Sequence, residues 1–383
     1  MHRDSGAALY EFFAGGGLAR AGLAPLFRCA FANDNDPAKA AAYEAAYGKG
    51  VFRLGDVWAL EPGDIPGRAQ LAWASFPCQD LSLAGARGGL NAPRSGAFWG
   101  FHRAISALAM EGRAPETLAL ENVCGLLTSR NGADFAALIA ALDALGYRAG
   151  ALEIDAAHFT PQSRPRLFIV ATRARVPAHI VSDAPLAPFH SQAIRTAHAK
   201  LLDPLKRHWV WWRMPAPPAR NTRLIDILED DGAVQWNTDA QTKHLIAMMS
   251  ALQFERLQTA KRAGTRVVGA LFKRIRVENG EKVQRAEARF DGLAGCLRTP
   301  AGGSSRQALL VVEGERVRSR LVSPREAARL MGLPDDHPIP DNRNAALHLL
   351  GDAVCVPAVR FLGENILAPL AGIEAQRDLF ASR

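Results

Sequence analysis

The sequence predicts a doubly wound α/β domain with a mostly parallel sheet, joined to a smaller, irregular second domain. Two observations predict it. Short apolar runs alternate with helix-periodic segments from residue 8 to about residue 172, and after about residue 175 prolines and tryptophans replace that rhythm. A length of 383 residues, 48% of them hydrophobic and 22% charged, gives room for two cores in a folded, soluble chain.

Residues 8–13 read as a buried strand running into Gly15, Gly16 and Gly17, and residues 71–76, 118–120 and 166–171 read as further strands. Residues 98–110 and 135–145 carry apolar side chains at helical spacing, so helices cover both faces of the sheet, and ligands belong beyond the carboxyl ends of its strands. Pro177, Pro185 and Pro188 precede Trp209, Trp211 and Trp212, which suit core or interdomain packing better than base stacking. Helical periodicity returns at residues 324–331, and residues 353–367 supply a last helix for the first domain. The expected division is residues 1–175, 176–345 and a returning segment, 346–383.

Charge points to a polyanionic partner: the formal net charge is +8 and the isoelectric point about 9.5. Between residues 253 and 290 ten Lys and Arg stand against four Glu, so this stretch carries most of the excess. A run of that kind is either a solvated face or a nucleic acid contact. The apolar N-terminal stretch 7–13 is too brief for a signal peptide or a membrane span, which predicts a cytoplasmic location and no membrane partner. Five scattered cysteines without a C-x-x-C pair predict neither a disulfide framework nor a metal site.

The chemistry sits at the strand ends. Phe13 leads into a glycine turn, Gly15 to Gly17, that lets backbone approach a ligand, and Asp34 ends the next strand where an acid meets ribose hydroxyls. Asp56, in the following loop, can accept from an adenine amino group. Cys78 follows Pro77 at the end of the strand 71–76, with polar Gln79, Asp80 and Ser82 after it, and so suits a nucleophile. Cys29, Cys124, Cys296 and Cys355 sit among apolar residues and read as small buried hydrophobes. Glu121 follows the strand 118–120, and Gln162-Ser163-Arg164-Pro165-Arg166 brings two guanidinium groups to the next one.

Pro77-Cys78-Gln79, Glu121-Asn122-Val123, Gln162-Ser163-Arg164-Pro165-Arg166 and the segment 320–334 together resemble the ordered motifs of the C5-cytosine DNA methyltransferases. The resemblance runs from Phe13 to about Leu367. It implies S-adenosyl-L-methionine as methyl donor and S-adenosyl-L-homocysteine as product. Phe13 would pack on the adenine, with Gly15 and Gly17 beside it, Asp34 on the ribose, Asp56 on the adenine amino group, and Val57 and Pro77 lining the pocket. Asp352, Ala353 and Val354 resemble the last motif, which would complete the cofactor site. The family commonly has Glu at Asp34, Gly at Leu18 and Asn at Asp352, and the added charge at Asp352 is expected to tune cofactor affinity.

By the same resemblance Cys78 adds to carbon 6 of a flipped cytosine, Glu121 donates to ring nitrogen 3, Arg164 holds the pyrimidine carbonyl and Arg166 supports it. Gln79 and Ser82 are candidates for steadying the displaced strand. Arg298, Thr299, Gly302, Gly303, Arg306 and Gln307 form an expected recognition loop, in which forked donors can read purine edges. Gln376 to Phe380 resembles the peptide by which bacterial proteins bind the replication sliding clamp. The expected product is 5-methylcytosine in duplex DNA, made by a monomer that is either an orphan enzyme or one with a cognate restriction endonuclease. The rivals are an RNA cytosine methyltransferase and a catalytically silent DNA-binding repressor.

Overall fold

A computed structural model describes residues 7–77, 96–278, 280–300 and 306–373. In chain order the first part is β1 (Ala7–Phe12), α1 (Leu18–Leu23), β2 (Phe27–Asp34), α2 (Pro37–Tyr47), β3 (Phe52–Leu54), β4 (Leu71–Ala74), α3 (Ala97–Met110), β5 (Thr117–Asn122), α4 (Ala133–Ala144), β6 (Arg148–Asp155) and β7 (Pro165–Thr172). These strands make one sheet in the order β3-β2-β1-β4-β5-β7-β6. β1 to β5 pair in parallel, and β6 and β7 antiparallel. β4 and β5 are buried along their whole length, as strands covered on both faces must be. α3 buries Phe98, Phe101, Ala104, Ile105 and Leu108, and α4 buries Phe135, Leu138, Ile139 and Leu142; both stripes join the core of this sheet.

The chain continues through β8 (Val181–Ser182), α5 (Gln192–Ala199), α6 (Asp203–Arg207) and β9 (Trp211–Trp212), then α7 (Asp239–Ala247), α8 (Ala251–Arg262), β10 (Arg266–Glu278), β11 (Glu281–Arg289), β12 (Ala308–Glu313) and β13 (Arg316–Leu321). It closes with α9 (Pro324–Leu330), α10 (Arg343–Asp352), α11 (Val356–Leu362) and, after a π-helical turn at Gly363–Leu367, α12 (Ala368–Leu370). β10 to β13 form an antiparallel sheet in the order β11-β10-β12-β13, with α7 and α8 packed on its core. α9 starts with Pro324 at its first turn and a capping box between Ser323 and Glu326.

The packing divides into two units at places other than those the sequence suggested. The first holds the described residues up to Asp155, Pro165–Pro217, and those from Ala358 onward; the second holds Ala156–Arg164 and Pro218–Pro357. The boundary expected at 175 moves because the tryptophans return to the first sheet. Trp212 is fully buried and donates to the Val170 carbonyl, and the Val210 amide donates to Ala149. The segment expected to return from residue 346 likewise does so only from Ala358. The apolar helical run Arg343–Leu370 is long enough to cross a membrane by composition, but most of it is buried, as in a core helix.

Candidate active site

In the order β3-β2-β1-β4-β5, the carboxyl ends of five parallel strands lie side by side, and those ends or the loops leaving them carry Asp56, Asp34, Phe13, Pro77 and Glu121 in that sequence, Asp34 and Glu121 within the last residues of β2 and β5 themselves. Three of these loops are knitted together by hydrogen bonds. Ala14 N donates to the Asn33 carbonyl at 2.9 Å and Gly15 N to Asp34 Oδ2 at 2.9 Å. The Asn33 amide donates to the Arg53 and Gly55 carbonyls, and Gly55 N donates to Asp34 O at 2.9 Å. Asp34 Oδ1 also accepts from Asp36 N. This buried carboxylate therefore fixes the turn after β1 and the turn after β2 at once.

Phe13 has φ 54°, a left-handed backbone that a bulky side chain rarely adopts and that the surrounding bonds enforce. Gly15, at φ 55°, has open space where a Cβ would stand, so its backbone faces room for a ligand. Val57 is buried against α3, and Asp56 accepts from Trp58 N while its side chain stays at the surface. A left-handed glycine turn with open space, an adjoining buried acid and a second loop acid together fit a nucleoside bearing a charged sulfonium.

Below the turn lies a group that sequence reasoning missed. Glu11, fully buried on β1, accepts from Arg20 N at 3.1 Å and from the Tyr43 hydroxyl at 3.2 Å. Arg20 donates to the same hydroxyl, and Tyr47 donates to Gly17 O. Burial pushes the Glu11 carboxyl up to about 7. The available signal was an acid inside an otherwise apolar strand.

At the other end of the row, Glu121 is 6% exposed on β5, and Arg166 Nε lies 3.1 Å from its Oε1. β7 runs antiparallel to β5, so the start of β7 stands beside the end of β5; Glu121 pairs in register with Phe168 and Asn122 with Leu167. Asn122 donates to Phe76 O at 3.3 Å, joining this corner to the segment that ends in Pro77. Cys78, Gln79, Ser82, Gly302, Gly303 and the stretch 376–380 lie outside the described residues. Burial raises the Cys29 thiol to about 11 and the Cys124 thiol to about 12, which keeps both protonated.

Arg164 differs from expectation. It belongs to the second unit, is 2% exposed, and donates to Cys296 Sγ and the Leu297, Gly351 and Ala353 carbonyls at 2.6 to 3.2 Å. Gln162 acts alongside it, donating to Leu330 O and accepting from Leu297 N. These side chains fasten segment 296–298 to segment 351–353, where Gly351 packs so closely on Arg298 and Thr299 that no Cβ would fit. Asp352, Ala353 and Val354 belong to this second unit, as do Arg306, which donates to Asn344, and buried Gln307.

A family model described as C-5 cytosine-specific DNA methylase matches residues 8–368. The chain belongs to that family. It is an S-adenosylmethionine-dependent DNA methyltransferase by family, and DNA is what the family modifies. The chain is 26% identical over 373 residues to the type II methyltransferase M.NlaX of Neisseria lactamica, covering 96% of this chain and 99% of that protein. Its fold is similar to those of solved methyltransferases, among them the following two. The S. pombe Dnmt2 methyltransferase gives a TM-score of 0.60 at 18% identity over 96% of this chain and 98% of that one. The Entamoeba histolytica methyltransferase EhMeth gives 0.62 at 13% identity over 96% and 99%.

Proposed function

We propose that the protein methylates carbon 5 of a cytosine flipped out of duplex DNA, through a covalent adduct between Cys78 and carbon 6. The observation that carries this reading is the buried Glu121–Arg166 pair at 3.1 Å on the carboxyl edge of the sheet, beside the strand whose following segment leads through Pro77 to Cys78. Carbon 5 of cytosine is a weak nucleophile and needs activation. Addition of the Cys78 thiolate to carbon 6, with a proton delivered to ring nitrogen 3 from Glu121, makes carbon 5 enamine-like. Arg166 orients the Glu121 carboxyl and takes the electrostatic role at the pyrimidine carbonyl that the sequence had offered to Arg164. S-adenosylmethionine supplies the electrophilic methyl group when bound, held by Phe13, Gly15, Asp34 and Asp56. Loss of the carbon 5 proton to a water-relayed base and elimination of the Cys78 thiolate free the product. A thiol cannot reach the ring face inside a duplex, so the target base must leave the stack.

Transfer of labelled methyl to duplex DNA, with RNA tested in parallel, checks the substrate. Cys78→Ala is expected to abolish transfer while leaving DNA binding, and a duplex containing 5-fluorocytosine is expected to trap a covalent complex on the wild type. Turnover by the alanine variant would refute the adduct. A cognate restriction endonuclease and a sliding-clamp contact through Gln376 to Phe380 complete the proposal, the latter tested by clamp binding after deletion of residues 376–383.

A further inference from the structure

The basic stretch of the second unit folds into a hairpin whose two faces are chemically opposite. Arg266 to Leu271 of β10 pair with β12, and Ala270 and Leu271 also with β11, but Phe272 to Glu278 pair with β11 alone, so the outer half is a two-stranded ribbon. Residues directly opposite in an antiparallel ladder share a face. One face of the ribbon holds Arg274, Arg276 and Arg285 with Glu278, Glu281 and Glu287, three bases against three acids. Its arginines are all paired: Arg274 and Arg276 with Glu287 at 3.4 and 2.5 Å, and Arg285 with Glu278. The other face holds Lys273, Ile275 and Val277 on β10 and Lys282 and Gln284 on β11, with no acid. Among the described residues neither lysine makes an ion pair, and Ile275 and Val277 are 68% and 70% exposed.

This second face continues the core side of the sheet. Leu271 and the cross-strand Ala286 and Ala288 are buried under the helical layer, where Ala286 N donates to Met248 O and Ala288 N to Gln253 Oε1. Beyond them the same face runs on uncovered. A folded protein gains nothing from two bare β-branched side chains between unpaired lysines unless something occupies them.

We infer that this lysine and aliphatic face of the ribbon docks in a groove of duplex DNA, with Lys273 and Lys282 on phosphates and Ile275, Val277 and Gln284 toward base edges. The inference rests on the reading of DNA as substrate. A two-stranded ribbon is the right width for the major groove, where aliphatic side chains meet thymine methyls, and an acid-free cationic face is complementary to a polyanion. The arginine face, neutralised by its own glutamates, is assigned to solvent.

The test uses full-length protein and a 30-base-pair duplex carrying the site that the wild type methylates, mapped by bisulfite sequencing, with binding measured across a salt series. The double variant Lys273→Gln/Lys282→Gln is expected to lower the slope of log affinity against log salt by about 2. Ile275→Ser/Val277→Ser is expected to weaken binding roughly ten-fold with the slope unchanged, and Arg276→Gln to leave both near wild type. Thermal melting of each variant reports folding. Wild-type binding by both double variants, or a slope change on Arg276→Gln instead, overturns the assignment while DNA methylation itself stands. A solution dimer that Ile275→Ser/Val277→Ser dissociates overturns it in favour of self-association. Methyl transfer to RNA but to no duplex overturns the functional reading, and the ribbon assignment with it.

Discussion

The carboxyl edge of the first sheet and the basic hairpin of the second handle charge in opposite ways. At the sheet edge a few ionisable groups are buried, and each is held by specific partners: Asp34 by two backbone amides, Glu121 by Arg166, Glu11 by Arg20 N and Tyr43. On the hairpin many charges are exposed, and the arginines are matched by neighbouring glutamates. A buried charge must find a partner or forfeit solvation, so its geometry is fixed by the fold. An exposed pair contributes little to stability and mainly cancels its own field. Charge counted along a chain is therefore a poor guide to charge presented in space.

The comparison breaks most visibly at Glu121. Glu121→Gln is expected to lower kcat by roughly 10²- to 10⁴-fold with DNA binding kept, measured by single-turnover methyl transfer. Next comes the contrast between two guanidinium groups two residues apart. Arg166→Lys should lower kcat about 10²-fold with an unchanged unfolding midpoint, whereas Arg164→Ala should destabilise the protein by about 3 kcal/mol or more, because it leaves three buried carbonyls without a donor. The reverse pattern in urea unfolding and kinetics would return Arg164 to the chemistry.

Glu11 gives a smaller, pH-dependent effect. Its carboxyl lies near 7 in the folded protein against 4.5 ordinarily, so between those values the folded state holds a proton that the unfolded state has released. The contribution of this group to stability is full below about 4.5 and falls as pH rises to about 7, by about 3 kcal/mol at most. Urea midpoints across that window should show the decline, and Glu11→Gln should flatten it. The smallest expected effect is at Asp34, where Asn keeps an oxygen for Gly15 N but loses its charge; cofactor affinity should fall about ten-fold by calorimetry.

Much of the site was legible because strand ends are legible. The run 71–76 announced β4, the acid after 118–120 announced Glu121, and the glycine turn after β1 stood where a parallel sheet binds ligands. Glu121 proved to lie inside β5, since that strand extends to Asn122. The parts that stayed hidden depend on contacts distant in sequence. Gln162-Ser163-Arg164-Pro165-Arg166 reads as one motif, yet Gln162 and Arg164 join segments some 130 to 190 residues away, while Arg166 pairs with Glu121. The tryptophans at 209, 211 and 212 suggested packing without saying against what. Glu11 looked like a polar interruption because its partners, Arg20 and Tyr43, are brought to it only by α1 and α2.

The sequence by itself determined the fold class, the family and the set of chemical groups at the strand ends, because period, turn residues and motif order are local properties. Only the tertiary structure decided which guanidinium serves the carboxylate, which acid is buried beneath the glycine turn, and which face of the basic hairpin keeps its charge. Those outcomes depend on strand direction, on burial and on the spatial pairing of opposite charges, and none of the three is written in the spacing of residues along a chain.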